Sequence, residues 1–419
     1  MNKPKLNLRP SRLPAIDALR GLVIVIMALD HSREFFGDLR IDPFDAGNSY
    51  LGLFLTRLVT HICAPTFVFL AGMSAWLYGQ KVSRKELAIF LLTRGAWLVF
   101  LDFTVIYFAL SLSLVLPTIF LVLAAIGASM IVLAGLIWLP PRLILLIGLV
   151  IVMGHNLLDP IKAQDFGSFD WAWMLLHERG YKEFSFGLRF VVAYPFLAWV
   201  GLMACGFGMA PLMKLDRSQR IKTLAVIGCV LTVAFFGLRY LNKYGDPEPW
   251  HRVAVQTAPE SLQTGLETSE ETSNVETDSL GTAYSFFHTT KYPPSLQFLL
   301  MTMGPALLIL AWFDGSNENR SWMKWLLVFG RVPLFFYILH FYLLHLGSIL
   351  TYRITKGVWL SVQQTGNSTP LDQFPEAFGF EGLWPIYAAW IAVLLVLYFP
   401  CKWYGEFKRR SPNPIWSYL

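Results

Sequence analysis

Charge is scarce in this chain and unevenly placed. Asp, Glu, Lys and Arg make up only 15% of the 419 residues, against 55% hydrophobic residues. With a mean hydropathy of +0.49, this composition argues against one soluble core and for many membrane spans joined by short polar loops. Cysteine is scarcer still. Cys63, Cys205, Cys229 and Cys401 are scattered through apolar stretches with no Cys-x-x-Cys spacing, so disulfide and zinc frameworks are both disfavoured and buried small hydrophobes are expected. There is no Gly-x-x-x-x-Gly-Lys phosphate loop, no His-Glu-x-x-His and no Gly-x-Ser-x-Gly elbow, which sets aside three common catalytic designs. No metal is expected. The formal net charge of +6 reads as loop bias in a membrane protein, not as a nucleic-acid surface.

A window of about twenty residues predicts an all-α, polytopic bundle of about ten spans. They fall near 15–36, 53–79, 87–111, 115–139, 142–158, 189–212, 223–241, 295–313, 326–350 and 383–401. The basic start Met1–Arg12 has no small-residue cleavage site behind it, so the first span is expected to be retained. Lysine and arginine set the orientation. Lys3, Lys5, Arg9 and Arg12, then Lys81, Arg84 and Lys85, Arg142, Lys214 to Lys222, Arg320 and Lys324, and Lys402 to Arg410 all fall on one side of a ten-span chain. Both termini are then cytoplasmic. Residues 1–419 read as a single transmembrane domain. Three longer loops face the other side: 159–188 with the aromatic stretch Phe169–Leu176, 242–294, and 357–382. Within 242–294, Glu260–Asp278 is rich in Glu, Ser and Thr, a composition expected to be disordered.

The first span holds the anomaly. Between Ala15 and Phe36 it carries Asp17, Arg20, Asp30, His31, Arg33 and Glu34, although one ionisable group near the bilayer centre costs a few kcal/mol. At helical spacing Asp17, Arg20 and His31 fall near one face, with the ends roughly 20 Å apart. Polar chemistry near both membrane surfaces is the reading this suggests. An Asp-His pair at a helix end has a bland account, hydrogen bonding to backbone or water. The neighbouring Arg33 and Glu34 weigh against it, and a histidine is suited to accept a proton at neutral pH. Adjacent residues point about 100° apart on a helix, so Asp30 need not be the carboxylate that orients His31.

Further polar residues sit in other spans. Arg57 and His61 are one turn apart, just before Cys-Ala-Pro65. The proline frees a backbone carbonyl, as happens beside cavities in membrane bundles; the bland alternative makes His61 a hydrogen-bonding partner of a neighbouring helix. Gly72, Ser74 and Ala75 read as a close-packing face. Arg94 either snorkels or meets a ligand. His340 and His345 are about 140° apart round their helix, so they are not a metal-chelating pair. Lys291, in Thr-Thr-Lys-Tyr-Pro-Pro, sits where the second long loop re-enters the membrane, placed to snorkel or to aim an ammonium at a site mouth.

Five stretches then carry a resemblance. Arg-Leu-Pro-Ala-Ile-Asp-Ala-Leu-Arg-Gly (12–21), Met-Ala-Leu-Asp-His-Ser-Arg-Glu-Phe-Phe (27–36), Thr-His-Ile-Cys-Ala-Pro-Thr-Phe-Val-Phe-Leu-Ala-Gly (60–72), Thr-Thr-Lys-Tyr-Pro-Pro-Ser-Leu (289–296) and Phe-Gly-Arg-Val-Pro-Leu-Phe-Phe-Tyr-Ile-Leu-His (329–340) resemble bacterial relatives of heparan-alpha-glucosaminide N-acetyltransferase. That group belongs to the transmembrane acyltransferases, which pass an acyl group from cytoplasmic acyl-CoA to a sugar across the membrane. The resemblance implies acetyl-CoA as donor, a sugar or glycolipid acceptor in the cell envelope, and a multi-pass protein of the bacterial inner membrane in contact with lipid; a homodimer is compatible with it. There is one departure. The lysosomal enzyme has its active-site histidine in the lumenal loop between the first two motif helices, and residues 37–60 contain none, which leaves His31, His61 or another group as base.

The reading is thus an acetyltransferase. His31, with Asp30 and His61, would be catalytic. Arg33, Arg57, Lys291 and His340 would meet the acceptor, and Asp17, Arg20 and Arg94, with Arg84 or Lys85, the donor. The rival is a transporter or flippase that uses the same buried charges to carry a lipid-linked anion.

Overall fold

The computed structural model describes residues 13–38, 40–45, 47–112, 119–185, 187–254, 277–357, 382–411 and 416. Helices dominate: α1 (Pro14–Phe36), α2 (Leu51–Thr60), α3 (Cys63–Gly79), α4 (Arg84–Leu101), α5 (Tyr107–Ser111), α6 (Val122–Leu136), α7 (Pro141–Gly154), α8 (Asp170–Leu176), α9 (Leu197–Met209), α10 (Arg217–Leu241), α11 (Ser279–Phe287), α12 (Leu296–Gly315), α13 (Ser321–Gly330), α14 (Pro333–Lys356) and α15 (Trp384–Arg410). Eight helical stretches among the described residues are long and apolar enough to cross a membrane. The protein is an all-α polytopic membrane protein. The ten stretches named from sequence all fall on helix, two of them on α1, which is rich in charge, and on the 15-residue α6.

Proline and glycine explain where the sequence reading needs adjustment. The second span is two helices with a turn at His61 and Ile62, because Pro65 has no N–H to offer the His61 carbonyl. The ninth is also two: α13 stops at Gly330, and Pro333 starts α14 after the non-helical Val332. The third continues through a π-helical turn, Asp102–Ile106, into α5. The sixth starts late, since Arg189–Val192 form a strand (β3) that pairs with Ile119–Phe120 (β1) and Gly180–Glu183 (β2). The aromatic stretch Phe169–Leu176 contains α8, with Phe169 exposed. Cys229 is exposed, unlike the other three cysteines. The basic residues before Leu13 and most of the Glu260–Asp278 and 357–382 stretches lie outside the described residues; Thr277–Asp278 form a strand (β5) against Val253–Ala254 (β4).

The first helix occupies the centre. It packs against α2, α3, α12, α13, α14 and α15, and its apolar residues from Ala15 to Phe36 are largely buried. Glycine sets its closest approach. A Cβ on Gly21 would strike the Leu326 carbonyl on α13, and one on Gly330 would strike the Asp17 carbonyl on α1. Overpacking of this kind costs ~1–3 kcal/mol or more. Gly21→Ala and Gly330→Ala are therefore each expected to lower the thermal midpoint of the detergent-solubilised protein, whereas Gly135→Ala, with open space around its Cα, leaves it unchanged. A Gly330→Ala protein melting with the parent would disprove this contact.

Candidate active site

A single cavity of about 770 Å³ runs beside α1 from Arg20 to His31 and Glu34. Those residues are separated by roughly 16 Å of helical rise. At its Arg20 end the wall also includes Arg94, Arg331, Lys408, Ser74 and the exposed Glu86. Arg20 is set by three bonds: to Asp17 Oδ1 at 2.8 Å, to Ser74 Oγ at 2.9 Å and to the Gly330 carbonyl at 3.3 Å. Ser74, expected only to let helices approach, is thus a partner of a cavity cation. Asp17 does not itself line the wall; it orients Arg20. The middle of the cavity is apolar, with Met27, Phe67, Ala71, Leu98, Ile126 and Met130. Arg84, an alternative donor-side cation, instead donates to the Trp138 carbonyl at 2.7 Å.

The far end is built around two carboxylates, one on each side of His31 in sequence. Asp30 does not bond that imidazole. Both its oxygens accept from Arg57 Nη1 at 2.7 Å, with Arg33 Nε at 3.6 Å and Lys291 Nζ at 4.0 Å. His31 is held by Glu34, one turn on along α1, through a 2.7 Å bond between Nδ1 and Oε2. An ionised carboxylate only accepts, so in the neutral imidazole Nδ1 carries the proton and Nε2 the lone pair. His31 lines the cavity with its side chain 17% exposed. Its ring rests on Phe341 (centroids 4.4 Å apart) and beside His340 (5.1 Å) and Tyr337 (6.3 Å).

The other expected site residues divide. Lys291 lines the cavity beside Tyr292, whose hydroxyl lies 3.1 Å from that of Tyr194. Arg33 and Arg57 do not line it; they neutralise Asp30. His340 is fully buried behind His31, its Nδ1 donating to the Phe336 carbonyl at 3.2 Å. His61 is not brought to the cavity either. Its ring stacks on Phe44 (5.3 Å) and meets Phe298 edge-on (5.2 Å), and Phe44 in turn stacks on His288 (4.9 Å). Asp102 faces the start of α6, accepting from the Leu121 amide at 2.8 Å. Sequence reasoning assigned no site role to Glu34, Tyr194, Tyr292, Tyr337, Arg331 or Lys408. The i,i+3 spacing of His31 and Glu34 was the one available signal for any of them.

Residues 12–244 match the model of a family described as heparan-alpha-glucosaminide N-acetyltransferase, catalytic. The chain belongs to that family. No individual curated protein matches it. This N-acetyltransferase family match contains Arg20, Asp30, His31, Glu34, Arg57, Arg94 and Tyr194. It stops before Lys291, Tyr292, Arg331, Tyr337 and Lys408, which the fold brings to the same cavity. The protein is a membrane transferase, and its candidate site draws on both halves of the chain.

The Asp30 cluster makes a sharp stability prediction. Removing one partner of a buried ion pair typically costs ~3–5 kcal/mol, because the other charge is stranded. Arg57→Leu is expected to destabilise by that order in thermal or denaturant unfolding, and Asp30→Asn combined with Arg57→Leu by less than the two single changes added together. An Arg57→Leu protein as stable as the parent would mean that Lys291 and Arg33 alone neutralise Asp30.

Proposed function

We propose that this acetyltransferase uses acetyl-CoA, bound at the Arg20 end of the cavity, to acetylate an amine or hydroxyl of a sugar at the His31 end. One observation carries the reading: a single continuous cavity is lined both by Arg20, Arg94, Arg331 and Lys408 and by a histidine whose Nδ1 is engaged by a carboxylate. Arg20, Arg94, Arg331 and Lys408 suit the phosphates of a nucleotide carrier. The apolar middle suits the acyl-pantetheine arm.

At the far end the acceptor nitrogen or oxygen attacks the thioester carbonyl carbon while His31 Nε2 takes its proton. The carbonyl electrons pass to oxygen and return as the C–S bond breaks. Coenzyme A leaves as the thiolate and is then protonated. Glu34 stabilises the imidazolium formed in the step and fixes its tautomer. The Lys291 ammonium stands where it can meet the acceptor or the developing oxyanion. Holding both substrates in one narrow space supplies much of the rate.

The Arg20 end is assigned to the cytoplasm. The lysine- and arginine-bearing turns after α3, α9 and α12 gather there, supported by Lys214 to Gln80 at 2.7 Å and Arg220 to Asp314 at 2.7 Å. On that assignment the acceptor is an envelope glycan or glycolipid approached from outside, and the membrane is a bacterial inner membrane.

Purified protein is expected to be thermally stabilised by coenzyme A and to release it from acetyl-CoA when an amino sugar is supplied. His31→Ala should lower transfer by ~10²–10⁴-fold and keep coenzyme A stabilisation, with Glu34→Gln lowering kcat in the same direction. Arg331→Ala should raise the donor KM roughly tenfold, the worth of one charge-assisted contact, and leave the acceptor KM alone. Absence of both coenzyme A binding and release would return the protein to the transporter class.

A further inference from the structure

One carboxylate outside the cavity controls a piece of its wall. Lys291 and Tyr292 reach the cavity from the short loop Thr290–Ser295 between α11 and α12. The loop doubles back on itself: the Ser295 amide donates to the Thr290 carbonyl at 2.9 Å, and Lys291 bridges to Pro294. Asp246, from the segment after α10, holds both of its ends. Asp246 Oδ2 accepts from the Thr290 amide at 2.9 Å and from Ser295 Oγ at 2.6 Å, while Oδ1 accepts from Thr290 Oγ1 at 2.9 Å and from the Glu248 amide at 3.0 Å. Bonds to an ionised acceptor are shorter and stronger than neutral ones, and here several converge on one group.

We propose that Asp246 is the positioning residue of the acceptor subsite, fixing where the Lys291 ammonium stands in the cavity. The proposal rests on the acceptor reading of the His31 end given above. Lys291 stands 4.0 Å from Asp30 and 5.2 Å from the Tyr292 ring centre, and the loop backbone carries both Lys291 and Tyr292 to those positions. Asn156 and His155 grip the far end alone, through the Leu296 amide and the Pro294 carbonyl, each at 2.9 Å. They keep the loop attached when Asp246 is changed. An error of an ångström in a positioned group is enough for a large loss of rate.

Asp246→Asn keeps the shape of the side chain but replaces one acceptor oxygen with a donor. It is expected to raise the acceptor KM about tenfold while the donor KM and the stabilisation by coenzyme A stay at parental values. Ser295→Ala and Thr290→Val, which release one end each, should give smaller shifts in the same direction, and they carry the test if Asp246→Asn fails to fold. In a Lys291→Ala background Asp246→Asn should change the acceptor KM by less than about twofold, because both changes act through one group.

A second readout needs no turnover. In a Cys63→Ser, Cys229→Ser background, the thiol introduced by Lys291→Cys should react with a charged maleimide about tenfold faster once Asp246→Asn loosens the loop. A persistent tenfold KM effect in the Lys291→Ala background, equal changes in donor and acceptor KM, or equal labelling rates would each overturn the proposal. Labelling that responds to Asp246→Asn in a protein that turns over no acetyl-CoA would uphold the loop assignment and overturn the acetyltransferase reading instead.

Discussion

The buried carboxylate of Asp30 is the constraint on which the far end of the bundle depends. Its side chain is 10% exposed, inside a helix surrounded by six others. Desolvation of such a charge is offset only by close opposite charges with good geometry. Here those charges come from three places: Arg57 on α2, Arg33 one turn along α1, and Lys291 from the loop before α12. The requirement for neutralisation therefore draws α2 and the Thr290–Ser295 loop toward α1. Asp30 reads as a catalytic residue in sequence because it adjoins His31. Its geometry makes it the tie that assembles the walls round that histidine.

With Asp30 so engaged, the imidazole needs another carboxylate, and Glu34 supplies it from the next turn. The two acids on one helix thus divide the work. One is saturated by cations and holds the fold; the other, with its side chain 30% exposed, holds only His31. The same economy operates at the opposite end, where Asp17 bonds Arg20 and stays off the cavity wall. Each end of α1 pairs an acidic and a basic group a helical turn apart; at one end only Arg20 lines the cavity, and at the other both His31 and Glu34 do.

The fold class and the positions of the helices were legible in the sequence, because hydropathy over twenty residues is a local property. Helix breaks at His61 and at Arg331 were less so; Pro65 and Pro333 were visible, but a proline in a membrane helix kinks it or divides it according to its neighbours. At the site, sequence reasoning singled out residues whose presence in a span is costly, Arg20, Asp30, His31 and Arg94, and Lys291 for its place where a loop re-enters the membrane. It left the partner of His31 open, since helical spacing gathers Asp30, His31 and Glu34 at one end of α1 without saying which atoms meet. His61 was beyond it altogether. The stack of His61, Phe44 and His288 brings together three segments far apart in the chain, and no local signal foretells that. Tyr194, Tyr292 and Tyr337 were missed for a simpler reason, that tyrosine in a membrane protein is ordinary.

The division of the cavity between matched and unmatched residues bears on how such a chain sets its specificity. The proposed base His31, its carboxylate Glu34 and the Asp30 tie lie on α1 and α2, within residues 12–244. Lys291, which lines the cavity near the Asp30 and His31 end, comes from a loop well beyond that range. A rigid central helix is a poor place to vary contacts, because each of its faces is already packed. A short loop tied at its two ends by one aspartate can change its tip without disturbing either anchor. On the proposed reading the transfer chemistry belongs to the first helix and acceptor choice to the Thr290–Ser295 loop, and Asp30, which touches both, keeps the two in register.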